Sequence, residues 1–427
     1  MRILWITETL LTEGQNLLTH NTNAIVTRGW LEGQAKSISH MPGIEIVVAA
    51  PSNQVKQITK VQGEHICYYA IPLIGDNRKY NSHYEKIWID VDNIVKPDIV
   101  HLHGTEYAHS LAYLKACGNK KVVASIQGLI SEIAKYYCSG ISIGELIRHH
   151  TVGDFLFGLS ILQSKRQFQK RGEIEKQAIN SLQYVIGRTN WDRVHSLSIN
   201  PHLHYFFNNE SLRDVFYEGK WNYDNCIHHS IFLSQSTYPV KGLHFVLKAL
   251  TKVIKVYPNT SIRIAGRDIT QKRTIKDRLL YSQYNQYIED LIRKHHLENH
   301  ICFTGALSAS QIKAEYLKSN VFILPSTIEN SSNSLGEAQI LGVPCIASFV
   351  GGIPDLVPNS NCGKLYRYDD IDSLADLIIS IFDQSCCFDN TEMVKVANER
   401  HDRTYNGQKL IDIYKTIIQQ QQWEISK

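Results

Sequence analysis

The sequence predicts an α/β protein with two doubly wound sheets of parallel strands. Short β-rich runs alternate with helical patterns along the whole chain, which is typical of right-handed βαβ units. Most of these runs are almost continuously apolar, as expected of strands buried on both faces. The chain has 427 residues, about twice the length of a common domain. Two domains, each with its own sheet, are therefore expected.

The strand candidates divide evenly between the two halves of the chain. In the first half they cover residues 3–7, 44–50, 99–103, 122–126 and 184–187. In the second half they cover residues 231–234, 261–265, 301–304, 321–325 and 344–347. Helical patterns lie between them. The clearest places Leu243, Val246, Leu247, Leu250, Val253 and Ile254 on one face of a helix, with lysines on the other face.

The stretch 208–225 is polar and aromatic without a clear period, so the hinge between the domains is predicted there. The predicted N-terminal Rossmann-like domain covers residues 1–210, and a second one covers residues 211–400. Residues 401–427 form a last helix with Leu410, Tyr414 and Ile417 on one face. We expect this helix to pack back on the N-terminal domain.

Composition excludes several classes of protein. The chain has 45 basic and 41 acidic residues, a balance that argues against general nucleic-acid binding. Its nine scattered cysteines without a C-x-x-C pattern favour reduced thiols over disulfides or a zinc site. No apolar run reaches the length of a membrane span, and the N-terminus reads as a strand rather than a signal peptide. A cytoplasmic location is expected.

Small or polar residues directly follow nearly every predicted strand. Ligands of open α/β sheets bind at the carboxyl ends of the strands, so these loops would line one cleft between the domains. The alternative is that such loops are polar in any protein of this class. The candidates include His103, Gln127, Arg188, Ser236, Gly266 and Arg267.

The densest stretch of candidate residues runs from 321 to 354. A strand ends at Pro325, a loop carries Glu329, and a helix begins within 331–334 with Glu337 in its first turns. The free amides of a helix N-terminus suit a phosphate, and ionised carboxylates suit sugar or ribose hydroxyls. This pattern suggests a nucleotide-sugar. The alternative is a capping box in which Glu337 caps a helix that starts at Ser334.

Glu329 and Glu337, with the following AQILGVPCIAS, resemble the E-x7-E signature of glycosyltransferase family 4. The form ENSSNSLGEAQILGVPCIASFVGG is closest to members that build bacterial surface polysaccharides, such as capsule and exopolysaccharide. The resemblance extends to SQSTYPVKGL, ICFTGAL, PDIVHLHG, SIQGL and YVIGRTNWD, and so covers most of the chain. It implies retaining transferases with the GT-B fold, two Rossmann-like domains around a cleft.

The resemblance also implies roles for individual residues. Glu337 would bind the ribose hydroxyls, Glu329 would face the transferred sugar, and Lys241 would pair with the diphosphate and stabilise the leaving group. The second domain would bind the nucleotide-sugar, with UDP as the expected nucleotide, and the first would bind a polysaccharide or lipid-linked acceptor. No metal would be essential. The remaining donor contacts would come from Asn333, Ser334, Leu335, Gly266, Arg267, Gly29, Arg28 and Ser236, and His103 and Arg188 would lie on the acceptor side.

Three positions depart from the family pattern. Ser236 stands where an arginine is common, Arg28 precedes Gly29 where a glycine pair is expected, and Gln127 replaces a frequent histidine. In a retaining front-face mechanism the leaving phosphate takes the acceptor's proton, so the histidine is not required as a base. Gln127 could still hydrogen-bond the sugar. These departures leave two alternatives open: a GT-B partner without catalysis, and a nucleotide-sugar epimerase on the same fold.

Two further stretches have distinctive sequence patterns. Asp90-Val91-Asp92 matches a D-x-D metal motif, but it lies in a helical pattern and is expected to be solvated helix surface. Residues 151–176 are apolar and then basic, which suits a peripheral contact with anionic lipid at the inner face of a membrane. The alternative for this segment is an ordinary solvated helix end.

Overall fold

A computed structural model describes residues 1–20, 29–76, 79–385 and 390–425 of the chain. Within these ranges the first sheet has eight strands in the order β3-β4-β2-β1-β5-β6-β7-β8, and all neighbours are parallel except β3 and β4. Its strands are β1 (Arg2–Ile6), β2 (Glu45–Ser52), β3 (Thr59–Gln62), β4 (Ile66–Pro72), β5 (Ile99–His103), β6 (Val122–Ser125), β7 (Tyr184–Gly187) and β8 (His204–Phe207).

The second sheet has six strands in the described residues, in the order β11-β10-β9-β12-β13-β14, and every neighbouring pair is parallel. Its strands are β9 (Ile227–Leu233), β10 (Ser261–Ile264), β11 (Ile301–Phe303), β12 (Ser319–Leu324), β13 (Cys345–Ser348) and β14 (Lys364–Tyr366). The predicted α/β class with two doubly wound parallel sheets is therefore confirmed.

Helices connect the strands. In the first half they are α1 (Thr12–Thr19), α2 (Gly29–Ser39), α3 (His83–Val95), α4 (Ala108–Cys117), α5 (Ile130–Ile133), α6 (Ile143–Arg148), α7 (Val152–Phe157), α8 (Ile161–Ser181) and α9 (Asn190–Ile199). In the second half they are α10 (Leu243–Val256), α11 (Ile275–Leu279), α12 (Gln283–Lys294), α13 (Ala309–Lys318), α14 (Asn333–Ile340), α15 (Ile353–Leu356), α16 (Ile371–Phe382), α17 (Asn390–Arg400) and α18 (Arg403–Ile425). None of the helices in the described ranges is long and apolar enough to cross a membrane.

Alternate residues of each central strand enter two different cores. Leu4 and Ile6 of β1 pack in a cluster with Trp88 of α3, while Ile3 and Trp5 pack in another with Tyr414 of α18. The Trp5 Nε1–H donates to Tyr414 Oη at 3.1 Å. Because both faces of the strand are covered, its sequence is continuously apolar rather than alternating.

The chain divides into two compact units. One comprises Met1–Ser131, Gln169–Arg213 and Arg400–Lys427, and the other comprises Glu132–Phe168 and Asp214–Glu399. The continuous first domain predicted over residues 1–210 differs from this grouping at residues 132–168. Hydrogen bonds to the second unit explain the difference: Asp154 Oδ1 accepts from the Gln283 backbone amide at 2.9 Å, and Thr151 Oγ1 donates to the Tyr281 carbonyl at 2.6 Å.

The D-x-D stretch lies on α3, as its helical pattern predicted. The expectation of a solvated surface is wrong for Asp92. Its carboxylate accepts from Tyr113 Oη at 2.6 Å and from Lys121 Nζ at 3.1 Å, so this side chain tethers α3 to its neighbours.

Candidate active site

Three loops meet at the carboxyl edge of the second sheet. They follow β9, β12 and β13, which are adjacent parallel strands and therefore end on the same side. The Thr327 amide donates to the Val240 carbonyl at 2.8 Å, and the Gly352 amide donates to the Glu329 carbonyl at 3.0 Å. These backbone bonds join the K-G turn, the Glu329 loop and the G-G turn into one structure.

Two glycines allow the loops to approach this closely. Gly242 has φ 72° and Gly351 has φ 52°, both in the left-handed region. A Cβ at Gly242 would lie 1.9 Å from the Pro325 carbonyl oxygen, and one at Gly351 would lie 1.9 Å from the Glu329 carbonyl oxygen. The glycines of the K-G and G-G motifs are thus required by backbone geometry.

Gly242→Ala is expected to destabilise the protein by about 2 kcal/mol, because a side chain at positive φ is strained and its Cβ would collide with backbone. Denaturant-induced unfolding measures the change. Gly144→Ala is the matched control, since Gly144 lies in α6 and only Ser142 Oγ, at 3.8 Å, would be near its Cβ. Equal midpoints for the two variants would contradict the close-approach argument.

The K-G turn and the Glu329 loop bring two predicted site residues together. Lys241 Nζ lies 2.7 Å from Glu329 Oε2, and Ser326 Oγ donates to the same oxygen at 3.1 Å. Both charged side chains are largely buried. Burial lowers the pKa of Lys241, but the Glu329 carboxylate and Tyr238 outweigh it and hold this pKa above the usual value for lysine. Lys241 is therefore a fixed positive charge at this edge of the sheet.

The helix after the Glu329 loop begins at Asn333, and its N-cap is Ser332, whose Oγ accepts from the Leu335 amide at 3.4 Å. The alternative in which Ser334 and Glu337 form a capping box is therefore wrong, because Glu337 lies beyond the capped turn. Tyr316 Oη donates to the Ser334 carbonyl at 2.9 Å and fixes this turn. Glu337 is buried on the same helix.

The first turn of α14 offers groups that could bind an anion. The amides of Asn333 and Ser334 belong to this turn, where a helix supplies no carbonyl partners of its own. The buried Asn333 Oδ1, an acceptor that suits a ligand hydroxyl rather than an anion, has no hydrogen-bond partner in the part of the chain that the structure describes. The Leu335 amide, predicted as a donor to the ligand, is already used by Ser332.

The remaining candidates of the second unit lie after β9 and β10. Ser236 is buried in the loop after β9. Gly266, with φ 110°, exchanges two backbone hydrogen bonds of 2.9 and 3.1 Å with Gly305, which ties together the loops after β10 and β11. The exposed Arg267 lines a cavity of about 280 Å³ with Lys276 and Tyr281. Within the described part of the chain, no hydrogen bond or ion pair joins these residues to Lys241.

In the first unit, Gln127 and Arg188 meet at a residue that the sequence analysis missed. Glu210 forms a buried ion pair with Arg188 and accepts from Gln127 Nε2 at 3.0 Å. Arg188 Nη2 donates to the Gln127 carbonyl at 3.0 Å. The loop after β6 is thus fixed through an acid in the hinge stretch, and no spacing motif connects Glu210 to its partners.

His103 lies at the end of β5 in a buried aromatic cluster. Its ring centroid is 3.9 Å from that of His101, 4.3 Å from that of Trp5 and 6.3 Å from that of Trp30. Burial lowers the pKa of His101 to about 3. Gly29 is the first residue of α2, next to Trp30, and Arg28 lies outside the described residues.

The start of α5, just after Gln127, is held by a buried acid. Glu175 accepts from the amides of Ile130 and Ser131, both at 2.9 Å, and from Ser131 Oγ at 2.7 Å. Burial raises the pKa of Glu175 to about 7, with a smaller contribution from Glu106, against the lowering effect of these hydrogen bonds. The folded protein therefore binds a proton that the unfolded chain releases at lower pH.

Because the pKa of Glu175 is raised on folding, its proton stabilises the fold at low pH, and this contribution is lost as pH rises toward 7. Between about pH 5 and about pH 7 the loss amounts to about 2 kcal/mol. Glu175→Gln is expected to remove it. Unfolding free energies of both proteins across this range test the prediction, and a wild-type-minus-variant difference that stays constant with pH would refute it.

Comparison with known proteins agrees with this architecture. Residues 230–409 match the family model of glycosyl transferases group 1. Glycogen synthase of Mycobacterium tuberculosis is 27% identical over 143 residues, which cover 34% of this chain and 31% of that protein. The chain matches about a third of the length of its first curated relatives.

Solved structures of several proteins are similar over nearly the full length of this chain. Sucrose-phosphate synthase from Thermosynechococcus elongatus has a TM-score of 0.67 at 13% identity, with 98% of this chain and 99% of that chain covered. HepE of Anabaena in complex with UDP-glucose has a TM-score of 0.63 at 14% identity, with 97% and 100% covered. The chain has the GT-B fold, and the part that contains Lys241, Glu329 and Glu337 is the part that matches the glycosyl transferases group 1 model.

Proposed function

We propose that this chain is a retaining glycosyltransferase of family 4 that uses a nucleotide-sugar donor. The observation that carries the proposal is the pairing of Lys241 with Glu329 beside the N-terminus of α14, within the segment that matches the glycosyl transferases group 1 model. UDP is the proposed nucleotide. Its support is that HepE, which shares the fold, was solved with UDP and with UDP-glucose.

Each group at this edge has a chemical role in the proposal. Lys241 binds the diphosphate and stabilises the negative charge that develops as the bond from C1 to the phosphate oxygen breaks. The first-turn amides of α14 bind phosphate and sugar oxygens. Glu329 accepts from the sugar and Glu337 accepts from the ribose, because carboxylates are strong acceptors for hydroxyl groups.

Retention of configuration follows if the acceptor attacks from the face that the diphosphate leaves. A bond forms between the acceptor oxygen and C1, and the acceptor's proton passes to the departing phosphate oxygen. No side-chain base is then needed. This suits a chain in which Gln127, which is not a base, replaces a frequent histidine and is hydrogen-bonded to Glu210. A metal is not essential in this scheme, since Lys241 supplies the positive charge.

The proposed acceptor is a growing polysaccharide or its lipid-linked precursor, and His103 and Arg188 are proposed to lie on the acceptor side. Both side chains are buried, and Arg188 is engaged by Glu210. Their proposed part is therefore to position the loops after β5 and β7 at the carboxyl edge of the first sheet, rather than to present free polar groups.

A donor screen tests the proposed function. The full chain is incubated with a panel of UDP-sugars and a lipid-extract acceptor, with EDTA present, and products are identified by mass spectrometry. Transfer of one sugar, with the donor's anomeric configuration retained by NMR, is the expected result. Binding of UDP without transfer to any acceptor would favour a non-catalytic partner, and a changed sugar without an acceptor would favour an epimerase.

A further inference from the structure

Segment 132–168 belongs to the second unit, and a buried glutamine is one of its anchors there. Gln283 lies at the start of α12, and its side-chain oxygen accepts from the Ile161 amide at 2.9 Å. Its backbone amide donates to Asp154, and its side-chain nitrogen donates to the Leu146 carbonyl. The last residues of α6, the first turn of α7 and the start of α8 thus converge on Gln283. Buried polar contacts therefore fix α6, α7 and the start of α8.

Helix α7 also packs closely on α11, which is distant in sequence. A Cβ at Gly153 would lie 2.4 Å from the Leu279 carbonyl oxygen and 2.9 Å from that of Tyr281, so only a glycine fits there. Thr151 and Asp154 form a capping box at the start of α7, and Thr274 and Asp277 form one at the start of α11. We call the surface formed by α6, α7 and α11 the docking surface.

Large apolar side chains of the docking surface are exposed to solvent, whereas the polar groups that anchor its helices are hydrogen-bonded in the interior. Phe155 is 88% exposed, Ile275 is 78% exposed and Ile143 is 76% exposed. Ile147, Val152 and Leu156 are also more than half exposed. Clusters of exposed apolar side chains of this kind mark contact sites for a partner or a membrane.

The charges of the docking surface favour one of these occupants. Arg148, Arg273, Lys276 and Arg278 are exposed on α6, on α11 and just before it. The nearby carboxylates of Asp154 and Asp277 are turned into the capping boxes of their own helices. Exposed apolar side chains bordered by cations match a bilayer that presents acyl chains beneath anionic headgroups.

We propose that the docking surface binds the protein to an anionic lipid bilayer. The basic part of α8, where Lys165 and Arg166 follow the apolar turn, adds positive charge next to this surface. The sequence indicated only residues 151–176 for such a contact, whereas the structure adds α6 and the distant helix α11. The proposal concerns binding to lipid and does not depend on the transfer chemistry proposed above.

Co-sedimentation of the full chain with vesicles tests the proposal. The vesicles contain phosphatidylcholine alone or phosphatidylcholine mixed with phosphatidylglycerol. We expect binding to the mixed vesicles that weakens as salt is added, and a loss of about tenfold in the double variant Phe155→Ser, Leu156→Ser. Ile94→Ser is the matched control, because Ile94 is an exposed side chain of α3 in the other unit and should leave binding unchanged.

Three outcomes would overturn the proposal. One is the absence of binding to the mixed vesicles, and another is equal binding by the double variant and the wild type. The third combines two results: the wild type binds no vesicles, and sedimentation velocity shows a dimer for the wild type but a monomer for the double variant. The surface would then be an interface between two copies of the chain. Circular dichroism and thermal unfolding establish that the double variant is folded, which is expected because its replaced side chains are exposed.

Discussion

Lys241→Ala is expected to lower kcat for sugar transfer by about 10²–10³-fold, the range found when one preorganised charge or donor is removed from a developing anion. In this chain the ammonium is largely buried and fixed by Glu329 at 2.7 Å, so in the proposed mechanism it would meet the leaving phosphate without reorganising solvent. Steady-state kinetics of UDP release with the acceptor present measure the loss. Donor hydrolysis without acceptor should fall in parallel, since both reactions break the same bond.

The control for this variant is Lys255→Ala. Lys255 is an exposed lysine of α10, the helix that begins two residues after Lys241, and its loss should leave kcat within about twofold of wild type. Removal of Lys241 also leaves the Glu329 carboxylate without this partner, so thermal unfolding must show that the variant is folded. Wild-type kcat in a folded Lys241→Ala protein would sink the role assigned to this lysine.

The central strands were predictable because each one is marked by the apolar character of its own residues. Strands such as β1 and β5 are buried on both faces, so an apolar run between polar loops identifies them without knowledge of the partners. The predicted strands did not include β8 and β14, nor did they include β3 and β4. β3 and β4 form an antiparallel pair at the edge of the first sheet, and β3 alternates between half-buried and exposed residues, a pattern that a polar surface segment shares.

The candidate site was predictable where it depends on sequence-local motifs. Lys241 with Gly242, and Glu329 with Glu337, lie in short stretches that a motif can mark in the sequence, although contacts between distant residues hold these stretches in place. The pairing of Arg188 with Glu210, like the assignment of residues 132–168 to the second unit, depends on contacts between distant parts of the chain. Such contacts leave no spacing pattern in a single sequence.

Glu337→Ala is expected to weaken binding of the UDP-sugar by about 100-fold while kcat changes little. A buried carboxylate that accepts from two ribose hydroxyls contributes about 3 kcal/mol, since hydrogen bonds to charged groups contribute about 1.5–3 kcal/mol each. Both ground state and transition state keep the ribose, so the loss belongs in KM. Calorimetric titration with UDP measures it without turnover.

A donor analogue separates this role from a structural one. If Glu337 binds the ribose, UDP that lacks the ribose hydroxyls should bind wild type and Glu337→Ala with nearly equal affinity, because the interaction is absent from both complexes. If the carboxylate only supports α14, its removal would weaken the binding of both ligands to the same extent. Glu399→Gln, an exposed acid of α17, serves as the matched control and should bind both ligands as wild type does. Equal losses for UDP and its deoxy analogue would therefore assign Glu337 to the folding of the helix rather than to recognition of the nucleotide.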